Sequence, residues 1–154
     1  MCTGDGPDVG EGSPDFRVME VVGVTMELPD QFPVVTLQEA EAPLRELTFR
    51  VGLAEGAALA QALRRLASPR PLTHELMTTI LGRLGTDIVA VRLTGRQGSV
   101  YQAELDLMST RGREVMGCRP SDGITLALRQ AVAAPLLADE RLLSGDGDVA
   151  PGPG

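Results

Sequence analysis

The chain of 154 residues has no lysine and no tryptophan, and it holds only one histidine, one tyrosine, three phenylalanines and two cysteines. Each scarcity excludes something. With so few aromatics the core has to be assembled from Leu, Val, Ala and Met, and a series of stacking platforms is not expected as its way of holding nucleobases. Cys2 and Cys118 cannot make a disulfide framework, which points to a reducing compartment. No run of 18 apolar residues occurs, and no basic stretch followed by an apolar one opens the chain. Neither a membrane span nor a signal peptide is expected, and a cytoplasmic protein follows.

What is present is arginine. All 14 basic residues are Arg, a side chain whose planar fork suits bidentate capture of phosphate or carboxylate, although a GC-rich coding bias yields the same usage. The net charge of −7 is unevenly placed. Asp5, Asp8 and Glu11 lie in residues 1–14, Asp146 and Asp148 in residues 144–154, and neither stretch carries an arginine. Without these five acids the rest has 16 acids against 14 arginines, a net −2. Nucleic acid is therefore permitted as a partner but not favoured by counterion release. Both ends are rich in Gly, Pro, Ser and Asp and are expected to be mobile tails around one domain at 15–143.

Period-two alternation predicts strands at 16–27, 33–38, 44–51, 87–94, 99–108 and 114–118. In the fifth, Tyr101, Ala103, Leu105 and Leu107 face one way and Val100, Gln102, Glu104 and Asp106 the other. Helical spacing predicts helices at 55–66 and at 74–84, the latter with Thr73 as N-cap and Gly85 as C-cap. It predicts a third from Ser121, as N-cap, to about Val132, and a short last helix at 138–143. The fold class is α+β: a mixed, mainly antiparallel sheet with packed helices. The layout also fits an internal duplication of a three-strand-plus-helix unit, because VGLAEGAALA at 51–60 aligns without gaps on CRPSDGITLA at 118–127. Glu55 then matches Asp122, and Gly56 matches Gly123.

The side-chain chemistry gathers at three helix starts. RPLTH at 70–74 holds the sole histidine, and RPSDG at 119–123 packs a guanidinium, a hydroxyl and a carboxylate into four positions. An acid in a first helical turn stabilises by roughly 0.3–1 kcal/mol with no function at all. The same placement of Glu55 and Asp122 could instead hold a divalent cation between the two halves, if the carboxylates lie within about 5 Å of one another. His74 could serve as a general base or merely cap its helix. Arg70 and Arg119 each precede a proline and are held extended, where they could clamp phosphate beside helix N–H groups or pair with Glu75 and Asp122.

Taken in order, VVGV in the first strand, VGLAEGAALAQAL, RPLTHELM with ILGRLG, YQAEL and RPSDGITLALR resemble the bifunctional nuclease domain family over roughly Phe16 to Leu143. Plant members are described as nucleases acting on RNA and DNA, and most bacterial members are named by similarity. The resemblance implies an α+β fold and association into at least dimers. Carried over by position, Glu55, Arg70, His74, Arg119, Ser121 and Asp122 fall on the family's recurrent polar positions. Where relatives often read IGPFEA this chain has VGLAEG, a difference that bears on pocket shape and substrate. The expected activity is metal-assisted hydrolysis of phosphodiester bonds in single-stranded RNA or DNA. Glu55 and Asp122 would hold magnesium or manganese, His74 would handle a proton, and Arg70, Arg119 and Ser121 would bind the phosphate. The alternative is a non-catalytic cytoplasmic binding or regulatory module that oligomerises, with Arg70 and Arg119 fully engaged inside the protein.

Overall fold

A computed structural model describes residues 15–144. The expected tails and Cys2 lie outside the described residues, except Ser144, which caps the last helix. Seven strands and four helices follow one another: β1 Phe16–Thr25, β2 Val34–Glu39, β3 Glu46–Arg50, α1 Leu53–Leu63, α2 Thr73–Arg83, β4 Asp87–Gln97, β5 Val100–Ser109, β6 Gly112–Cys118, α3 Pro120–Leu128, β7 Leu136–Asp139 and α4 Glu140–Leu143. The class is α+β, and no described helix is long and apolar enough to cross a membrane.

Six strands lie where alternation places them. The seventh, β7, falls within what the sequence suggests is loop and short helix; only Glu140–Leu143 of the expected 138–143 helix is helical. Four residues are too few to show a period, and LLAD carries no β-branched side chain. Yet β7 is the hinge of the architecture. The sheet order is β3-β2-β1-β7-β4-β5-β6, with β7 antiparallel to β1 and parallel to β4. Each side of β7 is an antiparallel three-strand meander followed by a helix, and β1 and β4 therefore run in opposite directions, as equivalent strands of two units related by a pseudo-two-fold would.

Each meander buries one carboxylate on its middle strand. Glu39 on β2 is 2% exposed and accepts from Arg17 and Arg45; Asp106 on β5 is 3% exposed and accepts from Arg92 and Arg113. Asp106 belongs to the polar face of the expected alternation, and the two arginines are what make its burial tolerable. The Arg45 guanidinium, with Arg17, holds Glu39 down at about 2 against burial.

The sheet curls strongly. Strands β3 and β5 are five places apart, about 24 Å in a flat sheet, yet the rings of Phe49 and Tyr101 are 5.9 Å apart, centroid to centroid. Curling leaves a groove of about 1360 Å³ between the two ends of the sheet, floored by Leu47, Phe49 and Tyr101 and reaching Gly52, Glu55 and Arg119. Leu37, Leu59, Val91, Leu93 and Ile124 form the centre of the core.

α1 and α3 pack on one another, and each carries a glycine at a close approach. A Cβ on Gly56 would lie 2.8 Å from Pro33, and one on Gly123 would lie 2.8 Å from Val91 and 2.9 Å from the Cys118 sulfur. Glycine at matching positions thus lets both helices sit down on their meanders. α2 differs: it has no fully buried residue, and just past its C-cap Leu84 lies Gly85, whose φ of +67° falls in the left-handed region that favours glycine.

Candidate functional site

The helix starts differ by a residue or two from those expected. α3 begins at Pro120, so Arg119 and not Ser121 is its N-cap; α2 begins at Thr73 with Leu72 as N-cap, and Leu84 rather than Gly85 is its C-cap. Helix α1 starts two residues early and stops at Leu63. A proline at the first helical position is pre-set for the helix and forces the preceding residue to stay extended, which is the conformation of Arg119 (φ −72°, ψ 143°). That backbone sends the Arg119 side chain back across its own first turn.

Four of the expected residues meet through it. Arg119 Nε donates to Asp122 Oδ2 at 2.7 Å, and Nη1 donates to Glu55 Oε1 at 3.3 Å. The other oxygen of Asp122, Oδ1, lies 2.9 Å from His74 Nε2. Asp122 is therefore the centre of a chain running Glu55–Arg119–Asp122–His74, and the three helix starts do converge. Burial tends to raise the Asp122 pKa, but the Arg119 and His74 hydrogen bonds outweigh it and hold the carboxyl below its usual value. Arg119 is correspondingly held more firmly protonated by its hydrogen bond to Asp122.

Helix α2 is tied to α3 twice. His74 reaches Asp122 in the first turn of α3, and the next residue, Glu75, pairs with Arg129 at the far end of α3 at 3.7 Å, with both side chains nearly buried. Glu75 also accepts from the Ser68 amide, and Arg129 Nη1 donates to the Leu66 carbonyl. These bonds fix the linker and the histidine together. Glu75 is thus not the partner of Arg70. Arg70 is exposed and makes no hydrogen bond or ion pair among the described residues.

Ser121 is buried, and it lines the groove together with Glu55, Cys118 and Arg119. Burial, with the charge of Asp122, pushes the Cys118 thiol up, so it is a poor nucleophile at neutral pH. The remaining polar lining includes Arg50, Arg96, Gln102 and Glu104. Arg50, Arg96 and Arg129 had no signal in the sequence, because each lies on a regular strand or at a helix end and gains its role only from the curl of the sheet or from long-range packing.

A joint cation site on Glu55 and Asp122 would need open carboxylate oxygens facing one another. Here the guanidinium of Arg119 fills that position and donates to both, and among the described residues no three His, Cys, Asp or Glu side chains converge as ligands. As arranged, the pair does not fit a divalent metal. What the cluster can do is hold an imidazole in one orientation by a carboxylate, with a guanidinium at the groove wall beside it.

The bifunctional nuclease domain matches residues 35–149. Two relatives from Mycobacterium tuberculosis, the uncharacterized proteins MT1877 (strain CDC 1551 / Oshkosh) and Rv1829 (strain H37Rv), are each 35% identical over 133 residues, covering 86% of this chain and 77% of theirs. The chain belongs to the bifunctional nuclease domain family.

Proposed function

We propose that the protein hydrolyses phosphodiester bonds of single-stranded RNA or DNA whose scissile phosphate lies at the Arg119 edge of the groove, using as general base His74, which stands outside the groove lining but is bonded to Asp122 next to Arg119. The observation that carries this reading is the double engagement of Asp122, which orients the imidazole with one oxygen and the groove-wall arginine with the other. With Nε2 donating to Asp122, Nδ1 is left as the acceptor. It takes a proton from a water whose oxygen bonds to phosphorus while the bond from phosphorus to the leaving oxygen breaks. That oxygen departs as an alkoxide and is protonated by solvent, and the imidazolium returns its proton to solvent. Arg119, with a side chain 65% exposed, turns a donor to the phosphate, and exposed Arg70 contacts a flanking one.

The test is cleavage of single-stranded RNA and DNA by the purified chain and by a Glu55, His74 and Asp122 triple alanine variant, each with magnesium, with manganese and with a chelator. Cleavage by the native chain only, persisting in chelator, is expected. Cleavage lost with chelator restores the metal-assisted reading, in which Arg119 must leave both carboxylates. Equal cleavage by both proteins refutes the site.

The engagement of Arg119 by Asp122 and Glu55 also favours a second reading, the non-catalytic module, but Arg70 does not meet that reading's requirement. For self-association the support is α2, whose Leu72, Leu76, Met77, Ile80 and Leu84 form an exposed apolar stripe. A second copy packing there would also clamp the helix that carries His74. Sedimentation of a Leu76→Asp, Ile80→Asp variant is expected to give a smaller species than the native chain.

A further inference from the structure

Next to the candidate site lies a second concavity, of about 380 Å³, that the chemistry above does not use. Its walls are Met26, Leu28, Phe32 and Leu53, with Asp30 and Gln31 at the rim. The four apolar side chains are half or more exposed, Leu28 at 85% and Phe32 at 54%. Burial of such residues is worth on the order of 25 cal/mol per Å² of apolar surface, so leaving four of them facing one hollow is costly without an occupant. Of the four aromatic residues in the chain, Phe32 is the one classed as exposed; Phe49 and Tyr101 are buried in the groove floor and Phe16 is half-buried.

The position is specific. Leu53 opens α1, two residues before Glu55. Pro33, next to Phe32, sits against Gly56, so the Phe32 segment is braced on the first turn of the helix that carries Glu55. Asp30 on the rim forms a 2.8 Å ion pair with Arg50, and Arg50 also lines the main groove. An arginine therefore stands where hollow and groove adjoin, the place a phosphate would pass if a base lay in one and the strand continued through the other.

We infer that this hollow is a nucleobase pocket, in which Phe32 stacks on one base of a strand whose phosphates run past Arg50 toward Arg119. The inference rests on the nuclease reading for the course of the strand. The size favours this occupant: a hollow of about 380 Å³ lined by six residues holds one or two ring systems, whereas a stable protein interface takes about 20–30 residues a side. Its chemistry agrees, with an aromatic face and aliphatic walls for stacking and the Gln31 amide at the rim as donor and acceptor for a base edge.

Because the chain has no tryptophan, Phe32→Trp supplies a single fluorophore in the pocket. Titration with thymidine monophosphate, with an eight-residue oligothymidylate and with the same strand made abasic is expected to quench it with the base-bearing ligands only. Quenching by the monophosphate as well as the oligonucleotide assigns the pocket to the base itself; quenching by the oligonucleotide alone assigns it to a base held in a strand. Phe32→Ala placed in a His74→Ala background, where cleavage is slowed, is expected to weaken oligonucleotide binding about 5- to 100-fold relative to His74→Ala alone, measured by anisotropy of a labelled strand. Undiminished binding by Phe32→Ala, equal quenching by the abasic strand, or fluorescence that changes with protein concentration instead of nucleotide would each overturn the pocket, the last in favour of a second copy. The two readings separate cleanly, since base-dependent quenching without cleavage defeats only the nuclease, and cleavage without base-dependent quenching defeats only the pocket.

Discussion

The junctions at 51–56 and 118–123 are built alike and do different things. Each takes the chain from the third strand of a meander into a helix, with an acid in the first turn and a glycine next to it pressed against the sheet side. The N-cap is where they part: Gly52 in the first, Arg119 in the second. Over Gly52 the Glu55 carboxylate folds back so closely that a Cβ there would collide with Oε2. At the second junction the arginine turns back onto Asp122 and spans to Glu55 as well. The inserts differ too, since the first unit is followed by α2 with the only histidine and the second by β7. A repeated scaffold brings two helix N-termini together; the unshared residues, Arg119 and His74, make a site out of them.

The sharpest way to break this comparison is to remove what is not repeated. His74→Ala is expected to lower cleavage of single-stranded substrate about 10²- to 10⁴-fold, the range for loss of a positioned general base, while leaving Phe32-dependent strand binding in place. Retention of native cleavage rates would return His74 to a purely structural role beside Glu75.

The shared features should instead respond alike. Gly56→Ala and Gly123→Ala each insert a methyl where an atom already sits at 2.8 Å, and each is expected to cost about 1–3 kcal/mol of stability, read as a fall of several degrees in Tm. The two losses should be similar, because two atoms lie under 3.0 Å at each site, Cβ and Cγ of Pro33 at one and Val91 Cγ2 and Cys118 Sγ at the other. A neutral result at one position and not the other would mean the two helices are seated differently.

The paired carboxylates extend the comparison to pH. Glu39 is lowered from 4.5 to about 2 by its arginine partners, and Asp106 is lowered by Arg113 and Arg92. A carboxyl held below its unfolded value contributes stability that is full above that value and is lost as pH falls through the folded one. Thermal melts are thus expected to be flat from pH 7 to about 5 and to fall between about 4.5 and 2, with Glu39→Gln and Asp106→Asn both flattening the decline. A decline beginning above pH 6 would point to a different group.

Much of this was legible in the chain. Six strands announce themselves by alternation, and the two junctions can be aligned because Gly56 and Gly123 answer the same steric demand. Convergence of Glu55, His74, Arg119 and Asp122 could be posed from the sequence as a condition, since each is a helix-start residue, but not which of them would pair. What could not be read is long-range. β7 is four residues with no period, its strand character conferred by β1 and β4 on either side. Ser121 looks like an N-cap, but Pro120 already starts the helix and moves the cap to Arg119. The pairing of Glu75 with Arg129, and of Glu55 with the Arg119 guanidinium that stands between it and Asp122, depends on side chains 54 and 64 positions apart in the sequence that only the folded sheet brings together.

The central claim is that the second junction works and the first one supports it. Side-by-side cleavage rates for Asp122→Asn and Glu55→Gln on one single-stranded substrate test it directly. Asp122 holds both His74 and Arg119, whereas Glu55 makes a single 3.3 Å contact with a largely exposed guanidinium, the kind of pair worth about 0–1 kcal/mol. Asp122→Asn should therefore lose at least about 100-fold and Glu55→Gln no more than about tenfold. Equal losses from the two substitutions, or no loss from Asp122→Asn, would contradict the account.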